Sequence, residues 1–343
     1  MAHPIPAETA QTLHRLLDAN QPIALSCKGT TNHCPMALIA LAEMGADGPR
    51  LQAFFDHWQA KFAIMAAPLD APVARHEWLQ QLGNFDQFHA LQACFLNWLQ
   101  DEGVDAVLQA VITQAPFAPA TGAFHGLIRL AYGLQVAHLG EIAAGLANLV
   151  VGYLPVPEAA GPTASDPAQA LAHLSGQMGG RKYSEASITG QMRTVAGEPE
   201  FAAALRPVPY TASLLPQLAQ LAMAAYWQTR DFTVLHMVTA CHAARILLAR
   251  LPESMHPRLL PALWSGVAAA YVTVGAPALQ PPDQLAAQID SNLAQNWDEV
   301  FARARARNND HVIKLVYSCQ QENLAYANPM YHAIAQRMVA GRE

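Results

Sequence analysis

The chain has 343 residues, 52% hydrophobic and 13% charged, enough for one large domain or two ordinary ones with an ample core. A net charge of −6 without any Lys/Arg-rich run argues against nucleic acid as a partner. Five cysteines (Cys27, Cys34, Cys94, Cys241, Cys319) without CxxC spacing argue against a zinc ribbon or a disulfide scaffold. They read as free thiols. The stretch Met1-Ala2-His3-Pro4 has no basic n-region or long apolar h-region, so no signal peptide and a cytoplasmic location are expected. Apolar runs such as Leu134 to Val151 are interrupted by His138, Glu141 and Asn148, which suits buried core helices and no membrane span.

Residues 6–20 carry Leu13, Leu16 and Leu17 at helical spacing, and a loop follows over 21–32. Asn32 is the expected N-cap of a helix that admits Pro35 in its first turn, runs to Met44 and stops at Gly45. Further helices are expected over 50–66 and 85–114, rich in aromatic residues that suit ordinary core packing. A central helix or helix pair spans 121–152, with Thr121 as its N-cap. From Pro155 to Pro209, prolines and glycines make a loop-rich excursion, with short helices at 167–177 and 200–205. It reads as a cover too thinly apolar to form a core. Helices resume at 211–229, 232–251, 256–272 and 282–305, and the last opens at Asn308-Asn309-Asp310-His311. Period-2 alternation is scarce and no repeat of fixed period is found, so the expected fold is all-α, one domain over 1–343.

Within that frame the polar residues are informative. His125, Arg129 and Tyr132 fall at i, i+4 and i+7, so one face of the central helix carries all three. Such groups are costly to bury without partners, which points to a polar network or a site. His138 and Glu141 lie about 140° around the axis from His125 and cannot share its face if the helix is unbroken. On the 232–251 helix, His236 shares a stripe with Thr239, Ala240, Ala243 and Leu247 and suits a buried site. His242 shares one with Arg245 and Ala249, nearer a solvated edge. Only four lysines occur against fourteen histidines, and Lys314 stands in an apolar turn, i+3 from His311. It either snorkels to solvent, pairing with a carboxylate such as Glu322, or is buried with a lowered pKa. His33, at a helix mouth, is as a lone histidine more often structural than functional.

Four blocks together resemble the questin oxidase-like family. They are Asn32-His33-Cys34-Pro35-Met36-Ala37, where the family usually has Leu in place of Cys34, then Gly122 to Gly133, Asp231 to Thr239, and Asp310-His311-Val312-Ile313-Lys314. They occur in family order across residues 32 to 314. The resemblance implies oxidative ring cleavage or Baeyer–Villiger-type oxygen insertion on a polycyclic aromatic ketone such as an anthraquinone, with O2 as co-substrate. It also implies a non-haem Fe(II) site or an NADPH-linked reaction. In the metal version His33, His125, His236 and His311 would be ligands, with Lys314 carboxylated as an oxygen donor. Arg129 and Tyr132 would orient a substrate oxygen. Imidazoles with one hard oxygen suit iron, but also zinc, copper or nickel. The spacings of 92, 111 and 75 residues between the histidines carry no metal signature of their own. No G-x-G-x-x-G occurs and Gly176 to Arg181 lacks the P-loop ending, which disfavours a flavin or Rossmann enzyme. A metal-free NADPH-dependent oxidase and a non-catalytic helical protein binding a hydrophobic ligand remain the alternatives.

Overall fold

The computed structural model describes residues 5–67, 71–115, 117–281, 284–285, 287–289 and 296–341. It is all-α: 67% of the chain is helical, with one two-stranded hairpin. The helices in chain order are α1 (Ala7–Asn20), α2 (Cys34–Glu43), α3 (Gly48–Phe62), α4 (Phe88–Glu102), α5 (Val104–Gln114), α6 (His125–Gln135), α7 (Leu139–Val151) and α8 (Pro167–Met178). They continue as α9 (Ile188–Gly197), α10 (Pro199–Ala204), α11 (Leu214–Thr229), α12 (Phe232–Leu248), α13 (His256–Thr273), α14 (Trp297–Arg305), α15 (Asp310–Tyr326) and α16 (Pro329–Ala340). The hairpin, Ser26–Cys27 against Thr30–Thr31, occupies the segment expected to be loop. No described helix is long and apolar enough to cross a membrane.

Burial sorts these helices into an inner set and an outer one. Residues 34–42 of α2 and 125–134 of α6 are buried on every side, as are 140–148 of α7, 233–244 of α12, 263–273 of α13 and 312–319 of α15. A helix apolar all round belongs inside. Around this set α12 packs on α6, α11 and α15, while α15 also packs on α2 and α16. The outer helices are amphipathic; α1, for example, turns Leu13, Leu16 and Leu17 inward.

Several element boundaries differ from expectation, each for a local reason. His33, not Asn32, is the N-cap of α2, because the Asn32 backbone is held by a 2.8 Å bond to the Leu25 carbonyl. Gly103, at φ +81°, divides the 85–114 segment into α4 and α5. The central segment is a helix pair: Ala137 turns left-handed at φ +52°, and the His138 ring then caps α7 by accepting from the Glu141 backbone at 3.1 Å. Thr121 is not a cap; its hydroxyl accepts from the Leu154 backbone. The pair is pressed together at two glycines. A Cβ on Gly145 would lie 2.5 Å from the Leu130 Cα, and one on Gly133 would lie 2.8 Å from the Ile142 nitrogen.

The Pro/Gly-rich excursion is not a thin cover. It holds three helices, one of them (α9) unforeseen, and α8 and α9 pack on α13. Leu174, Met192, Val195 and Phe201 turn inward there and are fully buried. His242 is likewise buried, not at a solvated edge, because its ring faces Glu322 on α15. Much of the helix expected over 282–305 falls outside the described residues, and its described end is α14.

Candidate metal centre

Four of the inner helices, α2, α6, α12 and α15, meet at their N-terminal ends, and each brings a histidine there. On α6 the approach is a left-handed turn through Gly122, Ala123 and Phe124, at φ +58°, +54° and +69°. For the two non-glycine residues this conformation is costly. It folds the chain back so that the Gly122 carbonyl accepts from both the backbone and the ring Nδ1 of His125. On α12 the His236 Nδ1 donates to the Phe232 carbonyl one turn earlier, at 2.8 Å. On α15 the Asn309 side chain caps the helix through the His311 and Val312 backbones. That leaves the Asp310 carboxylate available for the rings. One of its oxygens accepts from His33 Nδ1 at 3.1 Å and the other from His311 Nδ1 at 2.5 Å.

These partners fix the tautomers. A carbonyl or a carboxylate can only accept, so each of the four rings carries its proton on Nδ1 and presents a lone pair at Nε2. The Nε2 atoms of His33 and His125 face each other at 2.7 Å in rings stacked 4.5 Å apart. Two lone pairs at that distance repel unless a proton or a cation sits between them. The Nε2 atoms of His236 and His311 are buried with no hydrogen-bond partner. One ligating atom each from His33, His125 and His311 lies within 4.8 Å of the other two. His236 flanks this group, its ring centre 4.8 Å from that of His125 and 5.3 Å from that of His311.

A proton is a poor candidate for the gap. Burial, then the Lys314 charge, lowers the His33 pKa to about 3 despite Asp310. Burial, joined by neighbouring rings, holds His125 and His236 well below the usual imidazole range. Burial also lowers His311. Lys314 is itself buried, and desolvation brings it down to about 8, with Asp310 opposing. Burial works to raise the Asp310 carboxyl, but the His33 ring and the hydrogen bonds from both imidazoles together keep it well below the ordinary carboxylate range. Neutral rings with oriented Nδ1 protons and one bridging carboxylate form a donor set that fits a divalent transition metal.

Arg129 and Tyr132 go elsewhere. Because α6 and α7 form a hairpin, Glu141 returns to Arg129 and binds it in bidentate fashion, at 2.7 and 3.1 Å. The pair is fully buried, and Gln21 donates to the same carboxylate at 2.7 Å. Tyr132 bonds the Ser318 hydroxyl at 3.2 Å, beside the rings of His242 and Tyr317. Neither polar end bonds to a ring of the cluster, and Arg129 braces α6 against α7. Glu322 does not pair with Lys314; it takes Arg245 and His242.

Three carboxylates were missed as parts of these networks: Asp310, Glu141 and Glu322. A usable signal existed for Asp310 alone. Asn309 suffices as a cap, so an acid directly before His311 was left without a capping task.

A family model described as questin oxidase-like matches residues 30–319, which takes in all four histidines and Lys314. No curated protein sequence matches the chain.

Proposed function

We infer, since the chain belongs to the questin oxidase-like family, that it is an oxidoreductase acting on anthraquinone-type compounds, and we propose that it works as a non-haem iron oxygenase. The observation that carries the metal reading is the common tautomer. Three buried imidazoles and the partly buried His311 each spend Nδ1 on a fixed acceptor and leave Nε2 as the free lone pair, two of them face to face. Structural histidines have no need of such uniformity, and a bound cation relieves the facing lone pairs. Iron held there would supply the redox chemistry with O2 that opens or oxygenates an aromatic ketone ring.

The chain's own residues do the rest. His33, His125 and His311 would hold the ion and His236 would complete or flank the set. Asp310 orients two of the rings and strengthens them as donors. Lys314, depressed toward neutrality by burial, suits carbamylation: its neutral amine would attack CO2, an N–C bond forming as one C=O π bond opens, and the nitrogen would then give up one N–H proton. The resulting carbamate offsets the charge of the ion and adds a hard oxygen. Substrate approaches at His311, whose side chain is 15% exposed, the least buried of the four rings. Phe232, half exposed, lies there with its ring 4.4 Å from His311 and 5.0 Å from His236, an apolar platform for a flat ligand. The deep burial of the other rings excludes bulk water.

The test is metal analysis of purified protein followed by O2 uptake with an anthraquinone, with and without NADPH. Near-stoichiometric iron, and turnover lost with it in His125→Ala, are expected. Protein that turns over anthraquinone after complete metal removal would defeat the iron reading while leaving the family's oxidase chemistry intact.

A further inference from the structure

The four clustered rings have fixed proton positions, but a fifth buried histidine does not. His242 Nδ1 lies 3.2 Å from a Glu322 oxygen, which can only accept, and 3.3 Å from Arg245 Nη2, which can only donate. The ring therefore has a partner with its proton on Nδ1, and a different one with its proton on Nε2. A histidine poised in this way can take up a proton at one nitrogen and release one from the other. The His242 Nε2 and the second oxygen of Glu322 are buried with no hydrogen-bond partner among the described residues. Leaving such atoms dry is costly, and an internal water satisfies them. Glu141 makes the contrast: paired with Arg129 and Gln21, it has both oxygens bonded.

His242 and Glu322 stand in a polar column. On α15, Lys314, Ser318 and Glu322 follow one another every four residues and share the buried face that begins at His311. All three are at most 1% exposed. Each step is about 6 Å along the axis, a span that a water can bridge. The Ser318 hydroxyl is 3.2 Å from that of Tyr132, whose ring meets the His242 ring edge-on at 5.9 Å. At the far end Arg245 binds Glu322 at 2.8 and 2.9 Å, and its side chain is 32% exposed. That outlet lies about 16 Å along α15 from His311, well away from the opening beside Phe232.

We propose that Ser318, Tyr132, His242 and Glu322, with water between them, form a proton path that joins the metal centre to solvent at Arg245. Its role rests on the oxygenase reading. Insertion of one oxygen of O2 with a nicotinamide reductant takes up one proton as the other oxygen leaves as water. In this path Glu322 passes a proton to His242 Nδ1, and Nε2 gives one up toward Tyr132 and Ser318.

Two measurements test it. A crystal structure of the metal-free protein should show an ordered water within about 3.2 Å of His242 Nε2 or of the free Glu322 oxygen. If both atoms are dry, the path is overturned, whatever becomes of the iron reading. The second measurement is anthraquinone turnover by iron-loaded protein. Tyr132→Phe and Ser318→Ala each lose a single 3.2 Å bond. Each should lower kcat about tenfold or more and raise the solvent deuterium isotope effect. Added imidazole, a mobile proton carrier, should restore part of the rate, with KM and iron content unchanged. Ser265→Ala, which removes a buried hydroxyl on α13, should do none of this. A loss that imidazole does not rescue, that follows iron content or KM, or that Ser265→Ala shares overturns the proposal. Protein that takes up no iron sinks the oxygenase reading and the role of the path with it, whereas dry atoms sink the path alone.

Discussion

At the scale of single residues, Lys314 decides the most. Its buried ammonium has a folded pKa of about 8 against an ordinary value of 10.5. Below pH 8 the group is charged in both folded and unfolded chains, so the metal-free protein carries the full penalty, about 3 kcal/mol. Between pH 8 and 10.5 the unfolded chain binds more protons than the folded one, so stability rises with pH until the penalty is gone. Lys314→Met therefore stabilises the metal-free protein at pH 7 by up to about 3 kcal/mol, and by much less at pH 10. Urea melts at the two pH values measure the difference; an equal effect at both would contradict it. The same variant is expected to lose iron, since it cannot form the carbamate. Asp310→Asn tests the orienting carboxylate. An amide cannot accept from both rings as the carboxylate does, so iron affinity should fall about 10- to 100-fold with little change in the fold. Competition against a chelator reads that shift.

At the scale of elements, the α6–α7 hairpin carries Arg129 and Glu141 into register. Its backbone contact leaves no room for a methyl group, because a Cβ at Gly145 would sit 2.5 Å from Leu130 backbone atoms. Gly145→Ala should therefore cost about 1–3 kcal/mol. Gly176, inside α8, has nothing within 4 Å of such a Cβ. There the alanine should be neutral or stabilise by up to about 1 kcal/mol through helix propensity. Thermal melts of the two variants separate them. This hairpin also marks where reading the sequence ran short. Helix existence was legible from Leu13, Leu16 and Leu17 or from the Asn309 cap, because those signals are local. A helix pair was one of two readings of 121–152, but the place of the break at Ala137 was not legible, since nothing in an alanine announces a left-handed turn. Glu141 was kept off the His125 face only for an unbroken helix, and the break is what returns it to Arg129. The four histidines were legible from their blocks as separate residues, and the structure brings their rings side by side. The Nδ1 partners that orient them were not, because a backbone carbonyl leaves no trace in the sequence.

At the scale of the whole molecule, acid is the sensitive direction. His33, His125 and His236 have folded pKa values far below the ordinary 6.5, His33 at about 3. Between those values and 6.5 the unfolded chain takes up protons that the folded chain refuses, so stability falls as pH drops through that window. Above 6.5 these groups are neutral in both states and contribute no slope. Metal-free protein should thus lose stability steadily from pH 6.5 downward, and His236→Gln should flatten the slope. A midpoint in urea that does not move between pH 7 and 5 would contradict this. Iron bound as proposed would shift the curve upward, by about 1.4 kcal/mol for each tenfold excess over its dissociation constant.

The convergence of helix starts has one further consequence. His33 caps α2, His125 begins α6, His311 is the second residue of α15, and His236 lies in the second turn of α12. Each helix aims roughly half a positive charge at the same small volume. Together they rival the charge of a divalent ion, so the backbone resists the cation that the imidazoles attract. The frame is balanced only when negative groups enter, with Asp310 already there. A substrate arriving as a phenolate or enolate would therefore be drawn by the scaffold as well as by an ion bound as proposed, and a neutral analogue of the same shape would not. The peptide groups themselves discriminate between ionisation states of one molecule before any side chain touches it.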